Sequence, residues 1–342
     1  MAVIALSVVG ATPSGNLAGY AELEQGALLG MLRDKGHRLV EPTGTSATHF
    51  VSMNHNRTSF AEIAPRIPSF RRQLVVFEPR VVLPDNYKRS VRQKYGPILA
   101  MGTRGDVGAH GLPLPQHDWR EGPTPEGIHL RGTTALINAN KISMISGSLY
   151  GLRREVIGAF DQARLPLTLA GSNWDRRGGR ALLENARSLA YAMSNGETID
   201  IREWARRLPL DGSVQNIGVI GDKQAVLAQV EFAVVIENSA TYISEKLFDA
   251  VVAGCVPLYV GPSLSSMDIP DNVAIQLGKA PKANEFPQAV RALSDAKKAQ
   301  VLKAGEMWLA DDVTYQTWAM PNALMRLASA IDTNVCLDPE KT

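Results

Sequence analysis

Cysteine is nearly absent: the 342 residues hold two, Cys255 and Cys336. That excludes a disulfide framework and any cysteine-based zinc spacing. Cys255 lies in the apolar run GCVPLYV, where a buried free thiol is expected. An excess of one charge is also missing. The formal net charge is +2, so no broad basic face for nucleic acid is implied. No apolar run reaches the roughly 18 residues that a membrane-spanning helix needs. The apolar start AVIALSVVGATPSG lacks a basic leader and meets Gly and Pro within a few residues, so a first β-strand is expected there rather than a signal peptide. Free thiols suit the reducing cytoplasm, with no transmembrane segment and with peripheral membrane contact left open. Neither an internal repeat nor a low-complexity tract is present.

What is there is α/β in pattern. A chain of this length suits two cores, because single cores rarely grow past about 250–300 residues. Short apolar runs alternate with helical patterns, which argues for parallel sheets. Strands are expected at 2–9, 48–53, 73–77 and 97–101, with a helix over 20–35 ending at Gly36. Residues 102–127 are rich in Gly and Pro and predict a loop. A second series starts with a strand at 141–146 (KISMIS). It continues with a helix at 152–163, a strand at 166–170, a helix near 180–192, a short helix at 222–230, a strand at 231–236, a helix at 244–253 and a strand at 255–260. Helical patterns at 284–305 and 314–331 close the chain. The expected division is 1–138 and 139–332, two similar α/β domains facing a central cleft, with 333–342 a loose tail.

The most informative stretch is AVVIENSATYISEKLFDAVVAGCVPLYVG, residues 233–261. An apolar strand stops at Glu237-Asn238-Ser239, and a helix opens at Ser244-Glu245-Lys246. Open parallel sheets bind ligands at the carboxyl ends of their strands, where this junction falls. Ser244 suits an N-cap and Glu245 the positive end of the helix. Lys246 does not: a cation in the first turn faces the wrong end of the dipole, at a cost of about 0.3–1 kcal/mol. A bound anion would reverse that sign, since helix N-termini and ammonium groups both attract phosphate. A solvated surface lysine is the bland alternative.

The residue pattern E-N-S, Y-x-S-E-K, then A-G-C-V-P-L-Y-V-G resembles the signature of the α1,3/α1,4-fucosyltransferases, glycosyltransferase family 10. The match runs from Ile236 to Gly261, and DKQAVLAQVEFAVVI before it is similar to the family's lead-in. SGSLYGLRREVIGAF resembles the family's strand followed by an Arg that opens a helix, with Arg153 as counterpart and Arg154 as the other register. LVVFEPRVVLP resembles its acidic strand end, with Glu78 in place. Between Ser239 and Tyr242 the chain is shorter than the family pattern, and Ser244 stands where Thr is commoner.

The resemblance implies a GT-B fold of two Rossmann-like domains and an inverting transfer of fucose from GDP-fucose to a hydroxyl of a glycan acceptor. It implies Glu78 as general base and Arg153 and Lys246 as diphosphate contacts. Asn238 and Tyr242 would face the phosphates, and Glu245 would take the ribose hydroxyls. Lys223, Ser239 and Ser244 are further candidates for the donor site. No tightly bound cofactor is implied. The chain has no D-x-D, which counts against the metal-dependent GT-A arrangement, although a divalent ion is not excluded. A donor other than GDP-fucose, or a non-catalytic relative that binds a nucleotide sugar or glycan, are the alternatives. A nicotinamide-dependent oxidoreductase would need a G-x-G-x-x-G fingerprint, and the glycines of VVGATPSGNLAG do not have that spacing. His117-Asp118-Trp119 is expected to be loop packing or acceptor wall, and Trp174 lies in a basic loop that could touch either ligand.

Overall fold

The computed structural model describes residues 2–8, 26–43, 45–103, 108–121, 130–175, 179–201, 213–278 and 280–336. The chain forms two units, one of residues 1–118 with 315–342, the other of residues 119–314.

The first unit is built on β1 (Val3–Val8), α1 (Gly26–Asp34), β2 (Arg38–Val40), β3 (His49–Met53), α2 (Arg57–Ile63), β4 (Arg72–Val76), α3 (Arg89–Arg92), β5 (Ile98–Met101) and β6 (His110–Leu112). Its strands are all parallel, in the order β2-β1-β3-β4-β5-β6. β3 is buried at every position, as expected of a parallel strand covered on both faces. α1 stops at Gly36, whose φ of +83° only glycine adopts freely; the His37 N–H reaches back to the Leu32 carbonyl at 3.2 Å.

The second unit contains β7 (Leu130–Ile137), α4 (Tyr150–Ala163), β8 (Leu167–Ala170), α5 (Gly179–Ser194), β9 (Val214–Gly218), α6 (Lys223–Leu227), β10 (Val230–Ile236), α7 (Lys246–Val252), β11 (Val256–Val260), β12 (Ile275–Gln276), α8 (Glu285–Ala292) and α9 (Asp295–Ala310). Its parallel sheet runs β12-β11-β10-β7-β8-β9. The chain moves outward from β7 through β8 to β9, then crosses to β10 on the other side. The strand order therefore reverses between β7 and β10, the place where open α/β sheets take ligands.

Two expectations are corrected. KISMIS is not the first strand of the second sheet; β7 is. Met144 and Ile145 are buried, but their backbone pairs with the segment after α5: Met144 O accepts from Asp200 N at 2.8 Å, and Ser146 N donates to Thr198 O at 2.8 Å. A short apolar run fits a buried loop as well as a strand. The dividing point accordingly falls near residue 118, ahead of β7, and not at 138.

The end of the chain also differs. α10 (Met320–Cys336) belongs to the first unit, with Leu324, Leu327, Ala328, Ile331 and Val335 in the same apolar cluster as Leu28, Leu29 and Leu32 of α1. That i, i+3, i+4, i+7 spacing puts them on one stripe. The tail is thus helical to Cys336, and 337–342 lie outside the described residues, as do 20–25 of the expected first helix and residues 9–19 of the glycine-rich stretch. Among the described residues, no helix is long and apolar enough to cross a membrane.

His55, just past β3, shows one consequence of packing. Burial, with Lys94 nearby, pushes its imidazole down from 6.5 to about 4, and Nδ1 pairs with the Tyr95 hydroxyl at 2.8 Å. The unfolded chain therefore binds a proton between these values that the folded chain refuses, so stability falls as pH drops from about 6.5 towards 4. Thermal unfolding followed across that range should show a declining midpoint, and His55→Asn should flatten the decline.

Candidate functional site

β10 is apolar from Phe232 to Ile236, and its end is marked by Glu237, which is wholly buried. A buried carboxylate must be matched by donors. Ser244 supplies two, its backbone N–H to Oε1 at 3.1 Å and its hydroxyl to Oε2 at 2.6 Å. Lys246 closes the group: Nζ donates to the Ser244 hydroxyl oxygen at 2.7 Å and stands 3.7 Å from the Glu237 carboxylate. Burial pushes the Glu237 carboxyl up, against the pull of Lys246 and Ser244. Ser244 was expected to cap α7. Instead Glu245 occupies the cap position, with helical φ and ψ and no side-chain cap, because the Ser244 hydroxyl is committed to Glu237.

This arrangement explains how Lys246 tolerates the wrong end of a helix dipole. Its ammonium is held by Glu237 and lies 4.0 Å from Glu245. Burial raises the Glu245 carboxyl, but Lys246 and then Lys223 outweigh it and bring it from 4.5 down to about 2. Glu245 is therefore ionised at neutral pH, its contribution to stability being lost only as pH falls below about 4.5 towards 2. Lys223 on α6 bridges Asp249 at 2.6 Å and Glu245 at 3.5 Å. Burial lowers its ammonium, and Asp249 and Glu245 more than restore it. A small open hollow sits here, lined by Ala135 and Ile137 of β7, Val235 of β10, and Lys223, Lys246 and Asp249.

Arg153 and Arg154 are both buried, and their directions differ. Arg153 Nη2 donates to Ile236 O at 2.6 Å and to Asn238 Oδ1 at 3.0 Å, with its guanidinium 4.7 Å from the Tyr150 ring centroid. Arg154 donates instead to Lys141 O at 2.9 Å. Arg153 is thus the arginine at the β10 end. Asn238 also accepts from Leu149 N at 3.1 Å through its carbonyl. Ser239 pairs with both Ser148 and Tyr242 through isolated bridges, and Tyr242 is 5% exposed.

The fold therefore gathers Arg153, Asn238, Ser239, Tyr242, Ser244, Glu245 and Lys246 at the end of β10 and the start of α7, with Lys223 alongside. Glu78 belongs to the first unit, two residues beyond β4 and half-buried. Sequence reasoning left out Glu237 and Asp249. The available signal for Glu237 was an acid closing the apolar run Phe232–Ile236; for Asp249 it was an acid on the apolar face of α7.

Other expectations move away from a site. Trp174 is 2% exposed and its indole N–H donates to Asn138 O at 2.6 Å, so it is core. Residues 176–178 of its loop lie outside the described residues. Asp118 accepts from the Tyr315 hydroxyl at 2.7 Å, while the Trp119 indole donates to Leu309 O at 3.0 Å; they are loop packing, each in its own unit. Cys255 is buried, and burial pushes its thiol up to about 12.

Gly261 sets the spacing behind Glu237. A Cβ there would lie 2.4 Å from the Tyr259 hydroxyl and 2.7 Å from Glu237 Cγ. Gly261→Ala should therefore destabilise the chain by about 1–3 kcal/mol, as overpacking does, read as a lower urea midpoint at unchanged slope.

No protein-family profile and no curated protein sequence matches this chain. Solved structures do. HepE of Anabaena in complex with UDP-glucose superposes with a TM-score of 0.59 over 97% of this chain and 100% of its own, at 11% identity. The fold is GT-B. A glycosyltransferase from Rickettsia africae matches at 0.55 over 98% and 99%, with 8% identity. An α1,3-fucosyltransferase matches at 0.52 over 98% and 90%, with 13% identity. In this GT-B chain, the polar cluster lies in the second unit, beside the strand-order reversal of its sheet.

Proposed function

We propose that this protein is an inverting glycosyltransferase that moves a sugar from a nucleoside-diphosphate donor to a hydroxyl of a glycan acceptor, with fucose from GDP-fucose as the leading donor. The observation that carries this reading is the first turn of α7, where the Lys246 ammonium is held in place by a buried carboxylate and a serine. Glu237 and Ser244 fix this ammonium beside the helix N-terminus, and the two together would attract the diphosphate of a donor. Glu245 beside it is an ionised carboxylate suited to ribose hydroxyls. Arg153 lies behind Asn238, so it would act on the phosphates by holding the Asn238 amide or by turning its fork to them.

In the transfer, the acceptor oxygen bonds to the sugar C1 as the bond from C1 to the diphosphate oxygen breaks. The electron pair leaves with the diphosphate, and the acceptor proton goes to Glu78. Charge grows on the leaving phosphates in an oxocarbenium-like transition state. Fixed cations stabilise it without reorganising. The family resemblance of residues 236–261 supports GDP-fucose.

A second donor class is favoured by two observations: the short Ser239–Tyr242 stretch and the UDP-glucose held by a protein of the same fold. The test is a panel of GDP-fucose, GDP-mannose, UDP-glucose and UDP-N-acetylglucosamine, scored for release of nucleoside diphosphate with and without glycan acceptors. Release from GDP-fucose alone supports the leading donor. Release from a UDP-sugar keeps the transferase and replaces the donor. Binding without release from any of them supports a non-catalytic relative.

A further inference from the structure

The strand that leads to Glu78 ends in an unusual polar surrounding. Asn54 closes β3 with φ at +60°, a conformation asparagine tolerates better than most residues. Its side-chain oxygen accepts from Phe77 N at 2.9 Å and from Asn86 Nδ2 at 2.9 Å. Asn86 is 1% exposed, and its own oxygen accepts from His55 N at 2.8 Å. Next to it, the Tyr87 hydroxyl donates to the Glu78 carbonyl at 3.1 Å. Arg92 braces this pair, with Nε donating to Asn86 O at 2.9 Å and the guanidinium 4.9 Å from the Tyr87 ring centroid.

The backbone at Glu78 is therefore gripped on both sides: the preceding N–H by Asn54, its own carbonyl by Tyr87. Buried amides joined this way fix a single geometry more than they add stability. The cluster lies at the carboxyl ends of β3 and β4, the functional edge of a parallel sheet. We propose that Asn54, Asn86 and Tyr87 are positioning residues for Glu78, fixing the main chain from which its carboxylate extends. This rests on Glu78 being the general base.

The test is a double-mutant cycle on Tyr87→Phe and Glu78→Gln. Tyr87→Phe removes one hydroxyl and keeps the ring under Arg92, so the fold should survive, with an unchanged melting midpoint. The rate of nucleoside diphosphate release from GDP-fucose, or from the UDP-sugar that the panel selects, is read at saturating donor. Tyr87→Phe should lower kcat by about 10-fold, short of the 10²-fold that a 1 Å misplacement can cost. Its KM for donor should hold. In the Glu78→Gln background it should cost nothing further. An equal loss in both backgrounds, or no loss in the wild-type background, overturns the positioning role while leaving Glu78 as base. No effect of Glu78→Gln alone overturns the base, and the positioning role with it.

Discussion

Glu78→Gln is expected to leave nucleoside diphosphate binding within about twofold and to slow sugar transfer by about 10²–10⁴-fold, the usual worth of general-base assistance. The reason for the split is architectural. Glu78 stands beyond β4 of the first unit, whereas the residues proposed for the donor belong to α4, α7 and the end of β10 in the second. Gln keeps the size and one acceptor oxygen, so the clamp on the backbone at 77–78 should persist. What it loses is the ability to take a proton. Single-turnover kinetics with a saturating acceptor isolate that step from product release. Matched losses of binding and turnover would point to misfolding of the first unit and would remove Glu78 from the reaction.

Lys246→Ala should have the larger effect on binding. Truncating one partner of a desolvated charge pair costs about 2–5 kcal/mol, which corresponds to a loss in Kd of roughly 30-fold to a few thousand-fold. A second effect accompanies it. Glu237 would keep its two bonds from Ser244 but lose its nearby cation, and an uncompensated buried charged group costs at least about 1–3 kcal/mol. Lys246→Ala should therefore also lower the melting midpoint. The pairing Lys246→Ala with Glu237→Gln separates the two, because it removes the stranded charge while leaving the phosphate contact absent. Stability should recover in the double variant and nucleotide affinity should not. Recovery of both would mean that Lys246 serves only Glu237.

The junction at 237–246 was legible in sequence because a polar interruption between two apolar runs has few structural uses. Its internal wiring was not legible. Ser244 has the composition of an N-cap, yet a carboxylate seven residues earlier in the chain claims its hydroxyl, and only the fold brings them together. Glu237 was passed over for a related reason: acids are rarely fully buried unless paired, and the pairing with Ser244 and Lys246 cannot be seen without α7 packed beside β10.

In the fold, the apolar runs of β1, β3, β4, β10 and β11 identify themselves. β7 escapes because it begins with Leu-Arg-Gly-Thr-Thr, with exposed residues first, and its central place depends on partners far along the chain, Thr134↔Leu167 and Phe232↔Thr134. The return of α10 to the first unit is likewise a matter of long-range packing: its apolar stripe states that it has a partner, and α1 is not named by anything local. The clamp of Asn54, Asn86 and Tyr87 draws on residues 32 positions apart, and no spacing rule anticipates it.

The most direct measurement is calorimetric titration of GDP and of UDP into the wild-type chain and into Lys246→Ala. One of the two nucleotides should bind the wild-type protein, and Lys246→Ala should weaken that binding by about 10²-fold or abolish it. Binding of neither nucleotide, or an affinity that Lys246→Ala leaves unchanged, would contradict a diphosphate site at the start of α7.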